Sequence, residues 1–153
     1  MTAAKLKQQA HARLEQIAGR LKKGGHRMTP QRMAILKAIL DGEHPSAEDV
    51  FKSVAMQFPS MSLATVYKTL ALLKKEGQVL ELGFGGQESR FDALIPKPHP
   101  HLICTRCGEI VDPNFMDLER AIQAMADQTG FRVDTHRLDF FGLCPKCRAQ
   151  GTA

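Results

Sequence analysis

Two cysteine pairs, Cys104/Cys107 and Cys144/Cys147, constrain this chain more than any other feature. A pair spaced by two residues presents two thiolates to one ion from a tight turn, and four thiolates close a tetrahedral zinc shell. The pairs are separated by 36 residues (108–143), longer than a plain zinc ribbon allows. A helix and a strand fit in that gap before the chain returns to the first pair. Non-ligating thiols are the plain alternative, but the chain has four cysteines and leaves none over. A redox pair belongs between a strand and a helix of a thioredoxin-like βαβ unit, and neither pair has that setting. His99 and His101 lie just upstream and cannot join a shell already closed by four thiolates. They are core residues, surface residues or part of a second metal site.

The 153 residues suffice for one ordinary domain or two small ones. With 43% hydrophobic and 24% charged residues the composition is globular, which excludes a disordered or fibrous protein. No apolar run approaches the roughly 20 residues needed to span a bilayer, so no membrane association is expected. The first residues lack the apolar stretch of a signal peptide. The expected compartment is the cytoplasm, where paired cysteines hold metals rather than form disulfides.

Charge is unevenly placed. Residues 1–40 hold nine Lys or Arg and one acid, Glu15; residues 41–92 hold five bases and eight acids; residues 93–153 hold seven of each. The whole basic excess therefore precedes Asp41. A one-sided basic surface suits a polyanion such as double-stranded DNA, although a solvated helix face produces the same count.

The first part reads as helices. Residues 4–22 carry a loose apolar stripe of Leu6, Leu14, Ile17 and Leu21, ended by Gly24-Gly25. Thr29-Pro30 is a capping hydroxyl followed by proline at the first helical position. That helix runs to about Leu40, with Ile35, Leu36 and Ile39 inward, and Asp41-Gly42 stops it. Ser46-Ala47-Glu48-Asp49 opens a third helix as a capping box, closed by Phe58-Pro59. Ser62 caps a fourth, with Leu63, Val66, Leu70 and Leu73 on one face and Gly77 at its end. Gln78–Leu82 and Ser89–Asp92 read as a hairpin around Gly83-Phe84-Gly85-Gly86. A helix-turn-helix followed by a hairpin is a winged helix. The helix from Ser62 then reads DNA, with Ser62, Ala64, Thr65, Tyr67 and Lys68 available to base edges and phosphates. Arg27, Gln31 and Arg32 can reach phosphates or a narrow minor groove. Tyr67 is the only tyrosine; a half-buried packing role is its bland alternative.

Ile95-Pro96-Lys97-Pro98 is stiffened by proline and reads as a hinge. The predicted division is residues 1–93 for DNA binding, 94–98 for the hinge and 99–153 for metal binding. In the last part, His101–Cys104 and Ile110–Asp112 read as a hairpin whose turn holds Cys107-Gly108. Pro113-Asn114 leads into a helix over about Phe115–Gln128 with Leu118, Ile122 and Met125 as its apolar face. Phe131–Leu143 alternates like a strand and delivers Cys144 and Cys147. The fold class is α+β.

His99, His101, Asp92, Asp112 and His44 are the remaining candidates for a second metal. Residues i and i+2 of an extended segment point the same way, and imidazoles with carboxylates suit Fe²⁺, Mn²⁺ or Zn²⁺. A zinc hydrolase built on this cluster would need a general base and a substrate pocket. Nothing marks either, so neither an enzyme nor a small organic substrate is expected. An interaction module held by zinc fits less well with the basic first 40 residues.

Six stretches, in order, resemble the ferric uptake regulator family: Arg27–Arg32, His44–Asp49, Ser62–Tyr67, Ser89–Asp92, His99–Cys104 and Cys107–Asp112. The resemblance covers nearly the whole chain. It implies a dimeric, metal-dependent repressor with an N-terminal winged helix and a C-terminal dimerisation domain, bound to palindromic operator DNA. It also implies structural zinc on Cys104, Cys107, Cys144 and Cys147, and a regulatory Fe²⁺ or Mn²⁺ on His44, Asp92, His99, His101 and Asp112. Iron-uptake members typically carry Glu where Asp92 and Asp112 stand; peroxide-sensing members carry Asp. That likeness implies peroxide sensing through oxidation of His44 or His99, with an iron- or zinc-responsive uptake repressor as the alternative. A further metal site found in some members is broken here, because Pro98 and Pro100 flank His99 and leave Glu119 and His136 without partners.

Overall fold

Capping side chains mark where three of the helices begin. The computed structural model describes residues 3–83, 88–113 and 117–151, and the chain divides into two units between Lys97 and Pro98. The first unit opens with α1 (Ala3–Lys23), α2 (Pro30–Asp41), α3 (Ala47–Ala55) and α4 (Leu63–Lys75). Thr29 accepts the Arg32 amide and Pro30 follows it, so the missing proline N–H falls where no helical bond was available. Ser46 accepts the Asp49 amide at 3.1 Å while Asp49 accepts the Ser46 amide at 3.0 Å. Ser62 accepts the Thr65 amide at 3.1 Å. Gly77, with φ of 63°, turns the chain out of α4, a conformation glycine adopts without strain. Helix α3 ends earlier than Phe58-Pro59: the Gln57 and Phe58 amides both turn onto the Val54 carbonyl, tightening the chain before the proline is reached.

Ile17, Leu21, Ile35, Leu36, Ile39, Val50, Val66, Leu70 and Leu73 fill one core with almost no exposure. Burying each such side chain contributes about 1.5–3 kcal/mol before entropy is counted. Strands β1 (Leu80–Leu82) and β2 (Arg90–Asp92) pair antiparallel, Leu80 opposite Asp92. Helices α2–α4 followed by this hairpin form the winged-helix arrangement. The expected turn at Phe84-Gly85-Gly86 lies outside the described residues. Arg13 of α1 donates from Nε to the Ala93 carbonyl at 2.9 Å and from Nη2 to the Gln78 carbonyl at 3.2 Å, tying both ends of the hairpin to the first helix.

The second unit contains β3 (Pro100–Cys104), β4 (Ile110–Val111), α5 (Leu118–Thr129), β5 (Leu138–Gly142) and α6 (Pro145–Ala149). Strand β3 is central, antiparallel to β4 and parallel to β5. The strand expected over 131–143 is shorter: only Leu138–Gly142 pairs, because the five residues of β3 offer five rungs and no described strand continues the ladder. The expected start of α5 at Phe115 lies outside the described residues. Its expected inward face is corrected too. Leu118 and Ile122 are half-buried, Met125 is 55% exposed, and no side chain of the helix is buried. Among the described residues no helix is long and apolar enough to cross a membrane.

Candidate metal centres

Strand β3 carries Cys104 into a tight turn. The Gly108 amide returns to the Cys104 carbonyl at 2.9 Å and the Cys104 amide donates to the Glu109 carbonyl at 2.8 Å. Gly108 has φ of 73°, which lets the turn close behind Cys107 without strain. Parallel pairing of β5 brings Gly142 opposite Cys104, so the chain emerges with Cys144 beside the first knuckle. Pro145 starts α6, and the Arg148 amide on the Cys144 carbonyl at 2.9 Å fixes the second knuckle. The Cys107 and Cys144 sulfurs are 3.7 Å apart, the Cys144 amide points at the Cys104 sulfur, and all four sulfurs lie within 4.8 Å of one another.

These thiols cannot all ionise comfortably by themselves. Backbone N–H groups of Cys107 and Cys144 draw the Cys104 thiol down to about 6. Burial, with neighbouring thiols behind it, pushes Cys147 up to about 12. A divalent cation resolves the conflict by taking every thiolate as a ligand. Four sulfurs converging on one point fit structural zinc.

A second cluster lies at the open end of the same hairpin, away from the turn that holds Cys107. His99 precedes β3, His101 is within it, and Asp112 follows β4. The Asp112 carboxylate is 3.4 Å from His99 Nε2 and 3.8 Å from His101 Nε2, and the two rings are 4.3 Å apart between centroids. His101 is almost wholly buried. Two imidazole nitrogens converging on one carboxylate is a donor set for a borderline divalent cation. One acid outside the expected set also reaches this cluster: Asp139 Oδ1 is 3.3 Å from His101 Nδ1. Alternation marks Asp139 as a strand residue, but its position beside His101 depends on a parallel register that local sequence does not encode.

His44 and Asp92 belong to the first unit. His44 has φ of 55°, the one positive value among described non-glycine residues. It precedes Pro45, where that conformation is strained, and such strain gathers at functional positions. The loop is pinned to β2 by the Phe91 amide on the Pro45 carbonyl and by the Ser46–Arg90 bridge. Asp92 is buried, and its Oδ1 accepts the Leu94 and Ile95 amides at 2.7 and 3.1 Å. It therefore also shapes the chain's exit from the hairpin.

Of the residues singled out for DNA, Ala64, Tyr67 and Lys68 are exposed on α4 and Arg27 is exposed ahead of α2; Gln31 and Arg32 are half-buried. The hydroxyls of Ser62 and Thr65 bond each other at 2.9 Å. Arg32 donates to the Arg27 carbonyl at 2.7 Å. Tyr67 is 47% exposed, and its hydroxyl donates to Glu48 Oε1 at 2.9 Å.

The ferric uptake regulator family model matches residues 23–141. The peroxide operon regulator of Bacillus subtilis (strain 168) is 42% identical over 135 residues, 88% of this chain and 92% of its own. The solved Campylobacter jejuni peroxide stress regulator matches with a TM-score of 0.67 at 31% identity, covering 88% of this chain and 98% of that one. The Helicobacter pylori ferric uptake regulator, at 24% identity, shares the fold with a TM-score of 0.77 over 91% of this chain and 93% of its own. With the model spanning most of its length and a relative this similar, the chain belongs to the ferric uptake regulator family.

Proposed function

We propose that this protein is a cytoplasmic, homodimeric transcriptional repressor, not an enzyme, that binds palindromic operator DNA and releases it on exposure to hydrogen peroxide. The observation that carries the reading is the His99/His101/Asp112 cluster beside a separate four-thiolate knuckle, in a chain most of which aligns with a peroxide operon regulator. Zinc holds Cys104, Cys107, Cys144 and Cys147. Fe²⁺ or Mn²⁺ is held by His44 and Asp92 from the DNA-binding domain (1–93) and by His99, His101 and Asp112 from the dimerisation domain (99–153). Ligands drawn from both sides of the hinge (94–98) would fix one relative orientation, and so favour the conformer whose two α4 helices match an operator. Arg27, Gln31, Arg32, Ser62, Ala64, Thr65, Tyr67 and Lys68 meet the DNA. Val111, Leu102 and Phe140 stand side by side across the second unit's sheet, each about half exposed, a surface that a second copy would cover.

Fe²⁺ held there would activate hydrogen peroxide; overall the peroxide gives one oxygen atom to a ligand imidazole, which supplies the two electrons, and the other oxygen leaves as water. The chain's part is to place His44 and His99 where one of them takes up an oxygen atom, which spoils it as a ligand. An uptake repressor on the same scaffold is the alternative, and Asp at both carboxylate positions disfavours it. Mass spectrometry of the Fe²⁺ form after peroxide decides between them. A gain of one oxygen on His44 or His99 with loss of operator binding is expected; unmodified histidines with retained binding assign the protein to metal supply.

A further inference from the structure

Asp139 has no part in the ligand set above, yet it is the acid most closely engaged with His101. In the parallel pairing of β3 with β5 the two residues share a rung, and side chains on one rung of a parallel pair lie on the same face of the sheet. Asp139 Oδ1 is 3.3 Å from His101 Nδ1, with side-chain exposures of 9% and 2%. Arg137 donates from Nε to the other oxygen of Asp139, which holds the carboxylate plane in place.

A neutral imidazole carries one N–H. If Nδ1–H donates to Asp139, Nε2 is left with its lone pair. Nε2 is the atom that faces the Asp112 carboxylate, together with Nε2 of His99. Histidines that bind metals characteristically give the other ring N–H to a carboxylate or carbonyl, which fixes the tautomer and ring orientation and raises ligand basicity.

We propose that Asp139 is a positioning residue for the regulatory site: it holds His101 as the Nδ1–H tautomer so that Nε2 is presented to the metal. This rests on the regulatory-site reading above. Arg137 acts one step further out, by orienting Asp139.

The test uses the full-length zinc-loaded dimer, with Mn²⁺ as the probe because its free form is counted directly by electron paramagnetic resonance. Asp139→Ala should weaken Mn²⁺ binding by about 10–100-fold, with zinc content and helix content unchanged. Asp139→Asn, which keeps an oxygen acceptor, should recover most of the loss. Long-range ¹H–¹⁵N correlation on wild-type protein before Mn²⁺ is added should show His101 protonated at Nδ1. His101→Ala is the reference. If it abolishes Mn²⁺ binding while both Asp139 variants bind like wild type, the positioning role is overturned and the regulatory site stands. A proton on Nε2 of His101 overturns it in the same way, with no variant needed. If His101→Ala itself leaves Mn²⁺ binding unchanged, the regulatory-site reading falls and the role of Asp139 with it.

Discussion

Ser46 and Asp49 show how a few atoms start an element. Ser46 is buried, its hydroxyl lies 2.9 Å from Asp49 Oδ2, and the two residues exchange side chain-to-amide bonds in both directions. Ser46→Ala removes the hydroxyl half of that box and should cost about 1–2 kcal/mol in chemical denaturation at neutral pH. The Ser46 amide, then its hydroxyl, hold the Asp49 carboxyl below the usual carboxylate range. A carboxyl depressed by folding adds stability above its ordinary range, and that part is lost as pH falls through the folded value. The gap between wild type and Ser46→Ala should therefore narrow in acid; a gap that stays constant with pH would contradict the coupling. This box was legible in sequence because its partners are three residues apart. Asp139 was not, because only the pairing of β3 with β5 brings it to His101, 38 residues away.

At the scale of elements, α4 is divided by face. Val66, Thr69, Leu70 and Leu73 are buried, whereas Ala64, Tyr67 and Lys68 are exposed. Lys68→Ala should leave thermal stability within the usual range of a surface change. It should also weaken operator binding and lower the salt slope by about one ion; an unchanged slope in a salt titration would remove Lys68 from the phosphate contacts. Helices of the first unit were legible because caps and 3.6-residue periodicity are local and the core they face is in the same unit. Helix α5 misled, because apolar spacing marks a face to be covered without saying by what: Leu118 and Ile122 are only half-buried and Met125 is exposed. Strand β5 was overlong in the reading for a related reason, since alternation at Phe131 and Val133 cannot create a partner strand.

For the whole molecule, the two units are held by different means. The first has a wide aliphatic core. In the second, the buried apolar residues among those described are Pro100, Ile103, Ile110, Cys104 and Cys147, and two of these five are thiols of the knuckle. So small a core leaves folding dependent on the metal. Cys104→Ser should lose zinc and dimer together in native mass spectrometry while helix content from the first unit survives; a folded, zinc-bearing dimer would refute the assignment. Spacing was enough to single out the four cysteines, which the structure brings together; His44, Asp92, His99, His101 and Asp112 were separate candidates that only the resemblance grouped, since no local pattern joins His44 to Asp112. The most direct test of metal-gated, peroxide-released repression is operator binding by fluorescence anisotropy. It is measured for the zinc-only, Mn²⁺-loaded and Fe²⁺-loaded dimers, before and after hydrogen peroxide. Tight binding should require Mn²⁺ or Fe²⁺, and peroxide should abolish it in the Fe²⁺ form while sparing the Mn²⁺ form. Equal binding in all three forms, untouched by peroxide, would contradict the account.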